Sequence, residues 1–558
     1  MRAGGARSVV RGAAALAAAG LLAKVLSAVY RVLVARWLGA EAVGLYELAA
    51  PVLGAALSVC GMGLPVATSA LVAGALGRGD AAGARRLRAA SRRLLLLSGL
   101  AGSVLVAVTA PRLARLLGNP HAAGPLRAVA PAILLAIYLS GEKAWLQGSG
   151  RVAASAVVVV LEQVGRVAAA LFAAARFAGL PGEAGPLAPS AATAVAWSPA
   201  VGSVAGAAVA LTADAVVPVP GGARPAGGAA PGRAFRQAVD APDRGFPGPG
   251  RGPRQAREAM TAPAPVPGSA EVLLVQGGLP NWASGVIASL ATAVDAALVA
   301  RRLREAGGFS AYAATAALGE LNGMAMPLAT GPTVLFGAVA TAFVPAASAD
   351  WARGDRAGVR RRGEAAYFWV LAASLPLALG LWQMAQPVCV LLYRNAQAAA
   401  PLGVLSVMGT TLGLSYVASA LANAVGRPAV LVPGVVAGAV VKTALVLLLT
   451  GSHGMGVRGA AFGAMAGSAL STGLNLQAVQ RITGCRPPWG LAAVSSGPAL
   501  VAQWLGAQAA WAAVPAGALA LRVGLAASAG ALAYALAFAV ACVALRGRIR
   551  LPGGWLGL

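Results

Sequence analysis

Apolar stretches of about 20 residues recur along the whole chain, and short polar segments separate them. A helix of that length crosses the ~30 Å hydrocarbon core of a bilayer. The first stretch begins like a signal peptide but stays apolar to Ala35, too long for a cleaved segment. The pattern predicts about fourteen membrane-spanning helices, at approximately 13–37, 43–75, 94–117, 124–147, 152–175, 188–213, 272–300, 311–348, 365–392, 400–424, 428–450, 456–478, 488–517 and 522–545.

The second and eighth predicted spans are too long for a straight crossing. Both contain proline, which removes a backbone donor and clashes with the preceding turn of a helix. We therefore expect both spans to be bent near their prolines, Pro51 and Pro65 in the second and Pro327, Pro332 and Pro345 in the eighth.

Composition supports a membrane protein. Of 558 residues, 58% are hydrophobic and 11% are charged, and the mean hydropathy is +0.74. A soluble protein carries about 25% charged residues. The net charge of +27 would indicate nucleic acid in a soluble chain. Here the arginine clusters lie in alternate short loops, at 78–93, 353–362 and 546–550. This asymmetry predicts a multi-pass cell-membrane protein with both termini cytoplasmic and no nucleic-acid partner.

The two halves of the chain resemble each other. LVAR at 33–36 recurs at 298–301, and LPVATSALVAGALGRGDAAGARRLR from Leu64 recurs as VPAASADWARGDRAGVRRR from Val344. LARLLGN at 113–119 recurs as VCVLLYRN at 388–395. Matches that keep their order and spacing are typical of internal repeats. Because each half holds an even number of spans, the repeats are predicted to be parallel, with a site between them as in transporters.

These patterns divide the chain into four parts. Residues 1–213 form a six-helix lobe, 272–480 form a second, and 481–558 form an additional helix pair and a cytoplasmic tail. Residues 214–271 are rich in Pro, Gly, Ala and Arg without apolar periodicity, and they are predicted to be a disordered cytoplasmic linker.

Charged residues inside the predicted spans are candidates for function, since a charge at mid-bilayer costs about 2.5–3.5 kcal/mol. In span one, Lys24, Ser27 and Arg31 follow at i, i+3 and i+7 on one helix face without an acidic neighbour on that helix. The cations are predicted to bind an anionic ligand such as a phosphate, the alternative being an ion pair with another helix. Arg36 lies near the outer end, where it could bind substrate or snorkel to the interface.

Other intramembrane charges are predicted to pair or to bind coupling ions. Glu162 and Arg166 have the favourable i, i+4 order for an intrahelical pair. Lys442, the repeat equivalent of Arg166, lacks such a partner and is predicted to face the cavity and bind substrate. Asp295 is expected to pair with Arg301 or Arg302. Glu47 and Glu320 occupy matching places in the two bent spans. Their carboxylates are expected to bind H⁺ or Na⁺, or to pair with Lys24 and Arg31.

Enzyme chemistry is not predicted. The chain has no nucleophile elbow, no phosphate-cradling glycine loop and no acid cluster with metal-ligand spacing. The four cysteines show no paired spacing and are interpreted as small apolar residues. We expect no cofactor and no metal, apart from an H⁺ or Na⁺ coupling ion.

Several of these segments resemble stage V sporulation protein B and related polysaccharide-biosynthesis membrane proteins. They are KVLSAVYRVLVARWLGAEAVGLYELAAP from Lys24, GMGLPVATSALVA from Gly61, DAALVARRL from Asp295, GELNGMAMPLATGPTVLFGAVATAFVPAAS from Gly319 and LLYRNAQAAAPLGVLSV from Leu391. This resemblance covers nearly the whole chain except 214–270. It places the chain in the multidrug/oligosaccharidyl-lipid/polysaccharide exporter superfamily, related to lipid II flippases, and implies an all-α, MATE-like fold.

The resemblance implies a transporter that flips an undecaprenyl-pyrophosphate-linked oligosaccharide or peptidoglycan precursor by alternating access, in spore-cortex or cell-wall synthesis. In lipid II flippases, cations of the first spans line a central cavity, which by position points to Lys24, Arg31 and Arg36. Glutamines are expected where Glu47 and Glu320 stand, so the resemblance assigns these two no role. Two alternatives stay open: a cation-coupled multidrug exporter and a non-transporting scaffold of cell-wall or spore-cortex assembly. The partners expected are a lipid-linked sugar and the bilayer, with the protein acting as a monomer.

Overall fold

The computed structural model describes residues 3–177, 187–216, 270–450, 455–515 and 517–545, and every regular element in them is helical. The helices of the first half are α1 (Ala3–Gly61), α2 (Leu64–Gly77), α3 (Ala81–Leu116), α4 (Ala123–Gly148), α5 (Val152–Ala175), α6 (Ala188–Ala196) and α7 (Ser198–Val216).

The second half contains more breaks. Its helices are α8 (Ala270–Glu305), α9 (Ala311–Leu318), a π-helical segment (Gly319–Ala325), α10 (Met326–Thr330), α11 (Thr333–Ala352), α12 (Arg356–Gln383), α13 (Ala385–Tyr393), α14 (Ala399–Leu405), α15 (Met408–Ala424), α16 (Val432–Leu449) and α17 (Gly456–Thr483). The final pair is α18 (Trp489–Ala513) and α19 (Leu519–Leu545).

Helix α1 contains the first predicted span and much of the second. Gly39 has φ 77° and ψ 174°, which interrupts the helix and divides it into a first arm and a second arm. Glycine adopts this conformation without the steric strain that a Cβ would add. The arms run back along each other, because Arg31 reaches Glu47 across the interruption.

Both long predicted spans are interrupted near some of their prolines, whereas Pro51 and Pro345 lie inside α1 and α11 without a break at either residue. The second span breaks at Met62 and Gly63, which have φ of 50° and 65°, directly before Pro65 in the first turn of α2. The eighth passes through the π-helical segment and breaks again at Gly331 and Pro332. Proline at the start of the following helix explains where each new helix begins.

The helices suit a bilayer by length and hydropathy. In the described part of the chain, nine helical segments are long and apolar enough to cross a membrane. The first of them, Ala18–Gly77, holds most of the first predicted span and all of the second. Large apolar side chains on α3 point outward, with Leu97 68% and Val108 74% exposed. An apolar exterior of this kind is stable in lipid and not in water. The all-α membrane fold is thus confirmed.

The local geometry of the two halves repeats. Left-handed residues end corresponding helices in the same order, and the pairs are Gly39 with Gly308, Gly79 with Gly354, Gly118 with Arg394, and Gly150 with Gly426. Asp80 Oδ1 accepts a hydrogen bond from Gly83 N at 2.6 Å, and Asp355 Oδ1 accepts one from Gly358 N at 2.8 Å. These side chains cap α3 and α12 in the same way. The pairs support the parallel-repeat arrangement predicted from the sequence.

The bundle has two ends, which we name the Gly39 end, where Gly39 and Gly308 lie, and the Asp80 end, where Asp80 and Asp355 cap their helices. The two lobes meet closely at the Gly39 end. A Cβ on Gly44 would lie 1.9 Å from the carbonyl oxygen of Thr315, and one on Gly319 would lie 2.1 Å from that of Ala40. Glycine here allows backbone-to-backbone packing of membrane helices.

The additional helix pair docks on a proline kink. Pro376 within α12 cannot donate to the carbonyl of Ala372, four residues earlier. Tyr534 of α19 donates to that carbonyl at 2.7 Å, and Gln503 of α18 donates to the carbonyl of Pro376 at 2.8 Å. The two donors satisfy backbone groups that lipid could not.

The predicted linker needs a correction at both boundaries. Asp214 lies inside α7, and α8 already begins at Ala270. Asp214 is held there because Arg88 and Arg151 pair with it at 2.5 and 2.8 Å. Residues 217–269, most of the predicted linker, lie outside the described residues, as do the C-terminal arginines at 546–550.

We predict that Gly44→Ala lowers the thermal stability of the purified protein by about 1–3 kcal/mol, the usual range for overpacking. The new methyl group would meet the backbone of Thr315, which cannot rotate away. The matched control on the same arm is Gly54→Ala, because no atom lies within 4 Å of that position. Thermal unfolding in one detergent compares them, and equal midpoints would contradict the close contact between lobes.

Candidate functional site

A cluster of polar side chains lies between the two arms of α1, and we name it the inter-arm cluster: Tyr30, Arg31, Tyr46, Glu47 and Arg166. Arg31 Nη1 lies 3.2 Å from Glu47 Oε1. Arg166 of α5 donates from Nη2 to the hydroxyl of Tyr46 at 3.0 Å. The two arginines therefore approach one carboxylate from different helices.

The sequence around Gly39 brings this cluster together. Arg31 stands eight residues before Gly39 and Glu47 eight residues after it. In two antiparallel helices joined at a reversal, positions at equal distance from the reversal lie at the same depth, here about 12 Å along each arm. Adjacent tyrosines on both arms add hydroxyl groups that bond or approach the charges.

The cluster carries a net positive charge in a confined space. It holds two guanidinium groups and one carboxylate; Glu47 is only 8% exposed as a residue, whereas the Arg31 side chain keeps 33% exposure. A cavity of about 20 Å³ lies against it and is also lined by Gly323, from the π-helical segment of the other lobe. The cluster thus borders the seam between the lobes, with room for about one water-sized group.

Lys24 lies two helical turns further along the first arm, on the same face as Arg31. It is exposed, and it pairs with no acid of the described residues. Gly54, at the same sequence distance from Gly39 on the second arm, has no atom within 4 Å of its Cβ position. Both positions are therefore open at this depth, and the Lys24 side chain is accessible.

Arg36 has a different environment from that predicted. Its Nη1 donates to the carbonyl of Leu391 in the other lobe at 2.8 Å. This contact occupies the guanidinium with backbone and helps to join the lobes at the Gly39 end. In this conformation Arg36 is a link between lobes, and its predicted role in substrate binding has no geometric support.

Lys442 lacks an intrahelical partner, as predicted, but an acid of a neighbouring helix pairs with it; its role in substrate binding stays a prediction. Its ammonium group pairs with Asp295 of α8, which also accepts a hydrogen bond from Thr443 at 3.5 Å. The predicted pairing of Asp295 with Arg301 or Arg302 is wrong. These arginines stand six and seven positions after Asp295 on α8, and Arg301 pairs with Glu305 at 2.7 Å. Lys442 and Asp295 meet because α8 packs beside α16, and the spacing of residues along a single helix cannot predict such a contact.

The predicted intrahelical pair of Glu162 and Arg166 is also wrong. Glu162 pairs with Lys143 of α4 at 2.9 Å, and Arg166 turns to Tyr46. An i, i+4 pair contributes only about 0.2–0.5 kcal/mol, so partners from neighbouring helices can replace it. Arg166 is consequently available to the inter-arm cluster.

Glu320 lies in the π-helical segment and accepts a hydrogen bond from Asn395 Nδ2 at 3.2 Å. Of the two expected partners, Arg31 pairs with Glu47, and neither Arg31 nor Lys24 pairs with Glu320. A π-helical segment frees a carbonyl and shifts the side chains that follow, and such segments are frequent at functional sites.

Sequence reasoning missed a second ionic network, at the Asp80 end of the first lobe. Glu142 is 1% exposed and accepts from Arg88 at 2.7 Å and from Arg92 at 2.5 Å. Asp214 binds Arg88 and Arg151 and accepts from the indole nitrogen of Trp145 at 2.9 Å. The sequence feature that could have revealed this network is the presence of two acids, Glu142 and Asp214, near the ends of spans on the same predicted side of the membrane as the arginine-rich segment 78–93.

A metal site is not formed by the described residues, among which no three of His, Cys, Asp and Glu come together. The chemistry of the inter-arm cluster is that of cationic and hydroxyl donors around one carboxylate. Such a group can hold an anion by charge-assisted hydrogen bonds.

Comparisons with known proteins show what the chain is similar to in sequence and fold. Residues 9–214 match a family model described as polysaccharide biosynthesis protein. The chain is 26% identical over 477 residues to stage V sporulation protein B of Bacillus subtilis (strain 168), covering 85% of this chain and 84% of the relative.

Solved structures show the same fold. The lipid II flippase MurJ in an inward closed conformation gives a TM-score of 0.64 at 13% identity, covering 96% of this chain and 99% of that one. An inward-facing MATE multidrug resistance transporter of the MOP superfamily gives 0.60 at 16% identity, covering 83% and 95%.

The fold is therefore that of the transporters and flippases of the MOP superfamily, in a multi-pass membrane protein. The resemblance to the polysaccharide-biosynthesis membrane proteins, and to stage V sporulation protein B among them, is confirmed. These homologues point to a membrane transporter or flippase.

We predict that Glu47→Gln destabilises the protein by about 1–3 kcal/mol, because Arg31 and Arg166 then share a confined space without a counter-charge. Fully buried pairs lose about 3–5 kcal/mol, and the partial exposure of Arg31 reduces that figure. Glu305→Gln is the matched control, since its pair with Arg301 is exposed and contributes about 0–1 kcal/mol. Thermal unfolding of both variants checks this. Equal losses of stability would mean that the Glu47 carboxylate does not stabilise the fold by neutralising Arg31 and Arg166.

Proposed function

We propose that the protein flips a lipid-linked sugar, of the undecaprenyl-pyrophosphate class, across the cytoplasmic membrane by alternating access. The observation that carries this proposal is the net positive inter-arm cluster at the seam between the lobes, with Lys24 open beside it. A diphosphate is the chemical group that two or three converging cations bind best in a low-dielectric site.

Arg31, Lys24 and Arg166 have separate roles in this proposal. Lys24, exposed two helical turns from Arg31 toward the Asp80 end, meets the diphosphate first. Arg31 binds it next, releasing Glu47, which acts in the empty site as a resident anion. Arg166, anchored by Tyr46, keeps the cluster positive throughout. An anion held by exchange with Glu47 can leave again when the carboxylate returns.

The proposed motion follows from the contacts of the lobes. At the Gly39 end the lobes are joined by the Gly44 and Gly319 contacts and by Asn119, which donates to Thr315 at 2.8 Å. At the Asp80 end each lobe has its own network, Asp214 with its arginines in the first and Asp350 with Arg353 and Arg362 in the second. Opening at the Asp80 end would leave these networks intact. It would break the contacts between the lobes at the α1–α2 break, where Trp282 donates to the carbonyl of Val59 at 3.0 Å and Gly63 lies against Gly278. The head group is proposed to enter at the Asp80 end.

The arginine-rich loops support a cytoplasmic Asp80 end, with both termini and the linker on the same side. The hydrocarbon tail is proposed to stay outside the lobes, beside α18 and α19. A precursor for cell-wall or spore-cortex synthesis suits the relative named stage V sporulation protein B.

A cation-coupled multidrug exporter of the same superfamily would use a carboxylate as its H⁺ or Na⁺ site. Glu47, Asp295 and Glu320 already accept bonds from Arg31, Lys442 and Asn395, respectively. This pairing favours the anionic substrate, while a coupling ion at one of these groups stays compatible with it. A scaffold without transport would show no translocation in the assay that follows.

We predict that Lys24→Ala and Arg31→Ala each lower the initial rate of translocation by about tenfold, which corresponds to ~1.4 kcal/mol of lost binding or transition-state energy. The measurement uses purified protein in vesicles with a fluorescent lipid-linked diphosphate sugar. Arg112→Ala is the matched control, because it removes an exposed arginine of α3 at the Gly39 end, away from the cluster.

Full activity of both variants at normal protein levels would make these residues structural and remove the proposed site. An equal loss of translocation rate in Arg112→Ala would show that the rate depends on the net charge of the protein and not on these two positions. Export of a cationic drug by the wild type, without translocation of the lipid, would favour the exporter.

A further inference from the structure

An apolar groove opens at the side of the bundle, and we name it the lateral groove. Its volume is about 430 Å³. It is lined by residues that include Val59, Cys60 and Met62 of α1 and the adjoining break, Ser98 and Ala101 of α3, and Trp282 of α8. None of its lining residues is charged.

The groove lies between the lobes, since α1 and α3 belong to the first lobe and α8 to the second. The break of the second span would expose backbone carbonyls here, but both nearby carbonyls are bonded. Ser98 donates to the carbonyl of Cys60 at 2.8 Å, and the indole nitrogen of Trp282 donates to that of Val59 at 3.0 Å. A hydrocarbon can therefore contact these walls without leaving the carbonyls unsatisfied.

The groove continues into the lipid-facing surface of α3. Leu97, Leu100 and Val104 form an exposed apolar row on that helix, with exposures of 68%, 51% and 53%. Toward the Asp80 end the row leads to Arg93, one turn before Leu97, and then to Arg86. Both arginines are exposed, and neither pairs with an acid of the described residues.

We propose that the lateral groove binds one acyl chain of an anionic membrane phospholipid, whose phosphate contacts Arg93 and Arg86. Charge complementarity selects the anionic head group, because unpaired arginines near an apolar surface attract acidic lipids. Arg93 lies about 7.5 Å along the helix from Ser98, a distance that a head group and glycerol can span.

The lipid would also act on the lobes. The walls of the groove belong to both lobes, so its shape changes whenever they rock. A bound chain contacts Trp282 on one side and Ala101 on the other, and it therefore stabilises the arrangement described here relative to others. This role is independent of the substrate proposed above.

The test compares two neighbouring substitutions in the full-length protein. Ala101→Phe fills the groove, whereas Leu100→Phe adds its ring on the lipid-facing row next to it. Each protein is reconstituted in nanodiscs of equal phosphatidylglycerol and phosphatidylcholine, released, and weighed by native mass spectrometry. We expect wild type and Leu100→Phe to retain one phosphatidylglycerol, and Ala101→Phe to retain about tenfold less.

The head group is tested in the same way. Arg93→Gln should abolish the preference for phosphatidylglycerol, and Arg112→Gln at the opposite end of α3 should keep it. Equal retention by Ala101→Phe and Leu100→Phe would overturn the groove as the binding site. Retention without head-group preference in the wild type would overturn the anionic phospholipid.

Cys60 provides a second measurement that needs no bulky variant. With Cys389, Cys485 and Cys542 replaced by alanine, Cys60 is the single thiol and lines the groove. Phosphatidylglycerol should slow its reaction with N-ethylmaleimide about tenfold relative to phosphatidylcholine. An unchanged rate in a folded protein would contradict the proposal.

Discussion

A charge inside the bilayer must be paired, and this constraint places Arg31 opposite Glu47 on the two arms of α1 at the centre of the fold. A charge in hydrocarbon is costly, so each arm can hold its charged residue only because Gly39 brings the other to the same depth. The second arm, fixed in this way, presents Gly44 to the other lobe and ends at the break that forms the lateral groove. One reversal at a glycine thus positions the inter-arm cluster, the seam and the groove.

Much of the fold could be predicted from the sequence, because the bilayer restricts a chain to helices of a given length. Apolar runs gave the spans, and prolines located the bends of the second and eighth spans. The repeated Arg-Gly-Asp segments predicted matching turns, and Gly79 and Gly354 have the same left-handed conformation in both. These features are local, and local sequence determines them.

The pairing of charges could not be predicted in the same way. Glu162, Arg166, Asp295 and Lys442 all found partners on neighbouring helices, since packing of helices decides which side chains meet across a gap. Spacing on one helix shows only which residues share a face. The prediction for Arg31 was more useful, because Glu47 is one of the two carboxylates, with Glu320, for which a pair with Lys24 or Arg31 is an expected alternative. The resident carboxylate then became part of the proposed mechanism.

The central claim is that Glu47 occupies the site that the substrate's diphosphate takes. Binding of a short-chain polyprenyl diphosphate to the protein in nanodiscs, measured by isothermal titration calorimetry, tests it most directly. Arg31→Gln should weaken binding by about tenfold, and Glu47→Gln should strengthen it by a similar factor, because the competing carboxylate is gone. Weakening in both variants, or no change in either, would contradict the account.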